Sequence, residues 1–88
     1  MTETQVRPET LTEYLLRIRP ETEAEMEAAL LDVAIDMAAA RTLQRDARAL
    51  DDQRVDLVRR HAHPKVIDRI SVDLRLLRRA LEHLEVDP

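Results

Sequence analysis

Between Ile67 and Leu84 a large aliphatic residue recurs at spacings of three, four, three, four and three: Ile67, Ile70, Leu74, Leu77, Leu81 and Leu84. A helix brings such positions onto one stripe, because its turn takes about 3.6 residues, whereas a strand scatters them over both faces. Pro64 stands just ahead of the stripe and suits the first helical turn, where its missing amide costs nothing. The last helix therefore runs from about 64 to 85. Its stripe reads as a core face against another helix of the same chain, in preference to an intermolecular coiled coil.

What this helix packs on must be helical too. The 88 residues include no glycine, cysteine, tryptophan or phenylalanine, and Tyr14 is the single aromatic. Strands draw on aromatic and β-branched residues joined by glycine-bearing turns, so the fold is expected to be all-α. A chain this short is one domain and buries a modest share of its surface, so a partner often completes its core.

Upstream, residues 1–9 lack apolar periodicity and are expected to be a flexible tail, leaving a single helical domain over 10–88. In TLTE, Thr10 can cap a helix while Glu13 reaches back to the cap amide, and Pro20 ends that helix, giving about 11–19. TEAE repeats the signature at Thr22 and Glu25, with Glu21, Glu23 and Glu27 beside the positive end of the helix dipole. A long helix is expected from here, over about 22–50. Met26, Leu30, Val33, Met37 and Ala40 follow at alternating spacings of four and three, and Leu31, Ala34, Ile35 and Ala38 widen the seam until only Asp32 and Asp36 remain polar. A helix apolar on most of its circumference is buried on more than one side. Met26, Leu30, Val33, Met37 and Ala40 are therefore assigned to an interface between subunits. Beyond Leu50, Arg54 stands where an apolar residue was due; either the helix breaks near 50–53, with Asp51 and Asp52 as caps, or it bends on to about Arg60. The break is adopted, with a further helix over 53–61. The architecture expected is a short leading helix followed by an antiparallel helical hairpin, in an oligomeric helical assembly.

Charge and hydropathy narrow the function. The most apolar run, residues 28–40, falls short of the roughly 20 residues a spanning helix needs and carries Asp32 and Asp36. No basic-then-apolar leader opens the sequence, so a cytoplasmic protein is expected, with no membrane partner. The net charge is −4, divided as −5 over residues 1–44 and +1 over 45–88, so the whole chain lacks a basic footprint for nucleic acid. Thirteen Arg to one Lys, with abundant Ala, Leu and Asp, is the composition of a GC-rich coding sequence.

Chemistry finds few residues. His61 and His63 would share a side if extended, but no cysteine or Glu-x-x-His pair completes a metal site, and His83 lies on the last helix. The lone Ser71 falls within a helix with no histidine four residues away, and zero glycines exclude a glycine-rich phosphate loop. No catalytic residue, metal or cofactor is assigned, and the chain is not expected to be an enzyme. Arg59, Arg60, His61, His63 and Lys65 form the most basic stretch, and a helix starting at Pro64 adds amide donors for a phosphate. Arg59, Arg60 and Lys65 are the candidate DNA contacts, multiplied if subunits repeat.

Taken together, residues 22–88 resemble the bacteriophage terminase small subunits. The resemblance is carried by TEAEMEAALLDVAIDMAAA, the polar stretch RALDDQR, the dipeptide His63-Pro64, the helix IDRISVDLRLLRRALEHL and the terminal LEVDP. His63 stands where Asn is usual, and the usual glycine in the break is missing. The resemblance implies a homo-oligomeric ring of helical hairpins in a bacterial or phage-infected cell, which recognises double-stranded viral DNA for packaging and passes it to a large terminase ATPase. The alternative class is a cytoplasmic helical adaptor, regulator or inhibitor that binds an unidentified protein partner through its apolar face.

Overall fold

The computed structural model describes residues 9–33 and 35–86. Four helices make it up: α1 (Leu11–Ile18), α2 (Glu23–Leu31), α3 (Met37–Arg59) and α4 (Pro64–His83), and no strand occurs among the described residues. The all-α expectation holds, and α3 and α4 pack side by side as a hairpin.

Local chemistry accounts for each start. Thr10 Oγ1 accepts the Glu13 amide at 3.1 Å while the Glu13 carboxylate accepts the Thr10 amide at 3.3 Å, a complete capping box for α1. Thr22 caps α2 through the Glu25 amide at 3.1 Å, but the Glu25 carboxylate takes the Glu21 amide instead of closing the box. At α4, Pro64 occupies the first turn and His63 is the cap, its Nδ1 accepting the Lys65 amide at 3.1 Å. Of the expected flexible tail, residues 1–8 lie outside the described residues. Glu9 is fixed by Arg17, whose Nε and Nη2 donate to its carboxylate at 2.8 and 3.0 Å. That pairing holds the Glu9 carboxyl below its ordinary range and raises the Arg17 guanidinium.

The expected helix over 22–50 is corrected: it ends at Leu31, and a new one begins at Met37. Asp36, read in the sequence as part of a polar stripe, is extended and caps α3 by accepting the Ala39 amide at 2.8 Å. Asp32, the last cap of α2, puts a carboxylate at the negative end of a helix with no basic residue in its final turn. Interrupting the helix there lets α2 fold onto α4 and bury Met26, Ala29 and Leu30. Full burial of one such large side chain contributes roughly 1.5–3 kcal/mol, enough to offset the lost helical hydrogen bonds.

The expected break at 50–53, and with it a separate helix over 53–61, is also corrected, because α3 is helical throughout this stretch. Arg54 does not interrupt it. The side chain is half-buried, and its Nη2 meets Asp51 Oδ1, one turn back, at 3.1 Å. Arg78 reaches the same oxygen from α4 at 3.6 Å, so the charge at a hairpin-facing position is matched across the interface.

The core is aliphatic. Leu15, Met26, Leu43, Leu77 and Leu81 are fully enclosed, with Leu11, Leu30, Ala47, Leu74, Leu76 and Ala80 around them. All of these gather where α1 and α2 cover the hairpin. Farther along, where no third helix covers it, Val55, Val58, Val66 and Val72 are exposed and Ile67 and Ile70 are half-buried. The described residues span 45 × 39 × 21 Å, about two helix diameters in the thin direction.

Candidate functional site

Two regions stand out: the elbow between α2 and α3, and the arginine-bearing flank and tip of the hairpin. At the elbow, Leu31 closes α2 with 78% of its surface exposed and Met37 opens α3 with 71% exposed. Val33 and Ile35 lie between them, half-buried against the core. Leu31, Ile35 and Leu84 line a concavity of about 290 Å³ with Glu27, Leu30 and His83 at its edge.

The five residues assigned to one intersubunit seam are therefore separated. Met26 is wholly enclosed and Leu30 is buried, both in this chain's own core, which leaves neither open to another subunit as the intersubunit assignment expected. The physical reason is the elbow, which turns α2 back on α4 so that the seam is no longer one helix face. Val33 and Ala40 are half-buried, and of the five only Met37 is exposed. Ala34 lies outside the described residues. The other strongly exposed residue of the elbow is Leu31, which the spacing placed beside the seam.

At the far end of the hairpin, α3 closes on a left-handed residue with no glycine present. His61 has φ 56°, its amide donates to the Val58 carbonyl at 3.1 Å, and the Ala62 amide donates to the Leu57 carbonyl at 3.0 Å. These two bonds form a Schellman stop with histidine where glycine is usual. The turn brings Arg59, Arg60 and Lys65 to one end of the molecule, all exposed. Arg60 is paired with Asp56 at 3.1 Å, while Arg59 and Lys65 make no ion pair among the described residues. His61 and His63 sit in this turn, and His63 has its Nδ1 engaged as the α4 cap. His83 lies at the opposite end of α4, about 30 Å away by helical rise, beside Glu23. The three histidines do not converge, and no cluster of three or more His, Cys, Asp or Glu suited to a metal occurs among the described residues. Ser71 donates its hydroxyl proton to the Ile67 carbonyl at 2.8 Å, one helical turn back.

A further charged region went unread in the sequence. Asp51 Oδ1 accepts from Arg54 at 3.1 Å and forms a looser ion pair with Arg78 at 3.6 Å, and around it Arg48 and Arg75 are exposed and make no ion pair among the described residues. Arg54, Ser71, Leu74, Arg75 and Arg78 line an open concavity of about 360 Å³, and Arg78 joins it to a smaller one at Ala47, Arg48 and Asp51. The signal was present: Arg41, Arg48 and Arg59 are seven and eleven residues apart, spacings that return close to one line of a helix. It stayed hidden because α3 was read as two helices, which breaks the register between Arg48 and Arg59.

No helix among the described residues is long and apolar enough to cross a membrane. No family model, curated protein or solved structure matches the chain.

Proposed function

We propose that the chain is a non-enzymatic helical assembly and recognition protein, working in the cytoplasm, whose copies associate through the α2–α3 elbow. The observation that carries this reading is the exposure of Leu31 and Met37 at 78% and 71%, next to the half-buried Val33 and Ile35. Large aliphatic side chains grouped on a small surface are the feature that association removes from water. A second copy is the simplest occupant, since an elbow at the rim of a thin molecule can meet its equivalent. The resemblance to phage terminase small subunits supplies the most specific form of the proposal. In that form a ring of these hairpins recognises viral DNA and passes it to a large terminase ATPase. The concavity at Leu31, Ile35 and Leu84 favours one other reading, a helical adaptor or inhibitor that takes an apolar side chain of a different protein there.

Native mass spectrometry of the wild type and of a Leu31→Asp, Met37→Asp variant separates these. A multi-subunit wild type and a monomeric, fully helical variant are expected. A monomeric wild type would transfer the elbow to the adaptor reading, and a variant that keeps its stoichiometry would move the interface elsewhere.

A further inference from the structure

The flank of the hairpin concentrates charge against the trend of the chain. Arg41, Arg48 and Arg59 are exposed on the single helix α3 and make no ion pair among the described residues. At 100° per residue they fall within about 20° of one line, spread over about 27 Å of helix. Beside Arg48, across the shallow groove around Asp51, α4 contributes Arg75, which makes no ion pair among the described residues, and Arg78, which pairs with Asp51 at 3.6 Å. With Arg54, these six arginines meet two aspartates: Asp51, shared by Arg54 and Arg78, and Asp52, which the same angular count places between Arg48 and Arg59. The local balance is +4 in a chain of −4.

The tip is poorer. Arg60 is occupied by Asp56, and Lys65 stands alone at the start of α4. We propose that the flank face, Arg41, Arg48 and Arg59 of α3 with Arg75 and Arg78 of α4, binds the phosphate backbone of duplex DNA. The inference deepens the recognition reading above and rests on it for the identity of the polyanion, while moving the contact from the tip to the flank.

Three features fit that ligand. Guanidiniums aligned over about 27 Å match a rod of regularly repeated charge, since duplex DNA carries one phosphate charge per about 1.7 Å of axis. A straight helix bearing them can lie along a groove. Bases of a single strand would need aromatic platforms, and the only aromatic side chain, Tyr14, sits on α1 half-buried beneath the Arg17 guanidinium, 5.3 Å from its ring centre. The contacts are to backbone, so binding is expected to be independent of sequence and steeply dependent on salt.

Fluorescence anisotropy of a labelled random-sequence duplex, titrated with the full chain over 50–200 mM salt, tests the assignment. Two variants are compared, Arg41→Ala, Arg48→Ala, Arg59→Ala, Arg75→Ala on the flank and Arg60→Ala, Lys65→Ala at the tip, with circular dichroism confirming helicity. Each phosphate contact contributes about 0.9 to the slope of log K against log salt, so the flank variant should lose about 3–4 of that slope and bind at least tenfold more weakly at about 50 mM salt. The tip variant should bind like the wild type. Loss confined to the tip variant would overturn the flank assignment while leaving DNA recognition standing. A wild type that assembles in the mass spectrometer yet ignores DNA would overturn the proposal and leave the assembly reading intact. Binding of polyglutamate as tight as that of duplex would also overturn it, making the face a surface for acidic protein.

Discussion

Thr12 Oγ1 donates a 2.6 Å hydrogen bond to Asp46 Oδ2, joining α1 to α3 across thirty-four residues of sequence. Thr12 is buried, and the Asp46 side chain keeps 29% of its surface exposed, so the carboxylate is shielded on one side and open to water on the other. A hydrogen bond to a charged group in such a place contributes about 1–2 kcal/mol. Thr12→Val keeps the shape and removes the donor, and should lower unfolding stability by that amount in urea titration. The same substitution in an Asp46→Ala background should cost much less, and an unreduced cost there would show that the bond is not what joins the helices.

Among the described residues, Arg19, His61 and Glu85 hold left-handed backbone at helix ends without being glycine, at φ 49°, 56° and 57°. Each carries a Cβ penalty of about 1 kcal/mol that glycine avoids. Arg19 also pairs with Asp73 at 2.9 Å, whereas the exposed His61 side chain makes no bond among the described residues, so His61 isolates the backbone effect. His61→Gly should therefore raise stability by about 0.5–1 kcal/mol, less than the full penalty because glycine also widens the unfolded ensemble. Thermal unfolding decides it: an unchanged or lower midpoint would mean that the imidazole itself matters in the turn.

Much of the fold was legible where one local rule acted alone. The Thr10 and Glu13 capping box, Pro64 in a first turn and the core face of Leu74, Leu77 and Leu81 all follow from spacing and backbone chemistry, and the structure contains each, while Ile67 and Ile70 at the start of the same stripe stay half-buried. The elbow was not legible. Met26, Leu30, Val33 and Met37 have perfect helical spacing, and only the cover that Met26 and Leu30 find against α4 once α2 ends at Leu31 decides that the helix stops. Asp36 carried the signal, as an Asp three residues ahead of an alanine amide, but the apolar pattern on both sides concealed a cap. The same pattern hid the split within the seam, because periodicity selects a face without saying whether its cover comes from the same chain. Arg54 misled for the opposite reason, since its match on Asp51 and the second arginine from α4 are tertiary facts.

Met26 and Met37 separate core from surface. The first is fully enclosed, and Met26→Ala should cost about 2–5 kcal/mol through lost burial and the cavity left behind. The second is 71% exposed, so Met37→Ala should change the stability of the isolated chain by less than about 0.5 kcal/mol. Urea titration at low protein concentration measures both. Comparable losses would mean that Met37 is covered when the protein folds.

Asp36 carries the last prediction, because α3 bears most of the surface that function would use. Its carboxylate accepts the Ala39 amide at 2.8 Å and places a negative charge at the positive end of a 23-residue helix. Asp36→Ala should cost about 0.5–2 kcal/mol. Asp36→Ser restores the hydrogen bond without the charge and should recover most of the loss, in proportion to how far the cap outweighs the dipole. The elbow also depends on this cap, since Asp36 fixes where α3 begins. Without it, amide hydrogen exchange should quicken at Met37–Ala40 first, while Leu43 and Leu77, in the core, stay protected. Uniform loss of protection would instead place Asp36 in the global folding unit and deny the elbow any independent mobility.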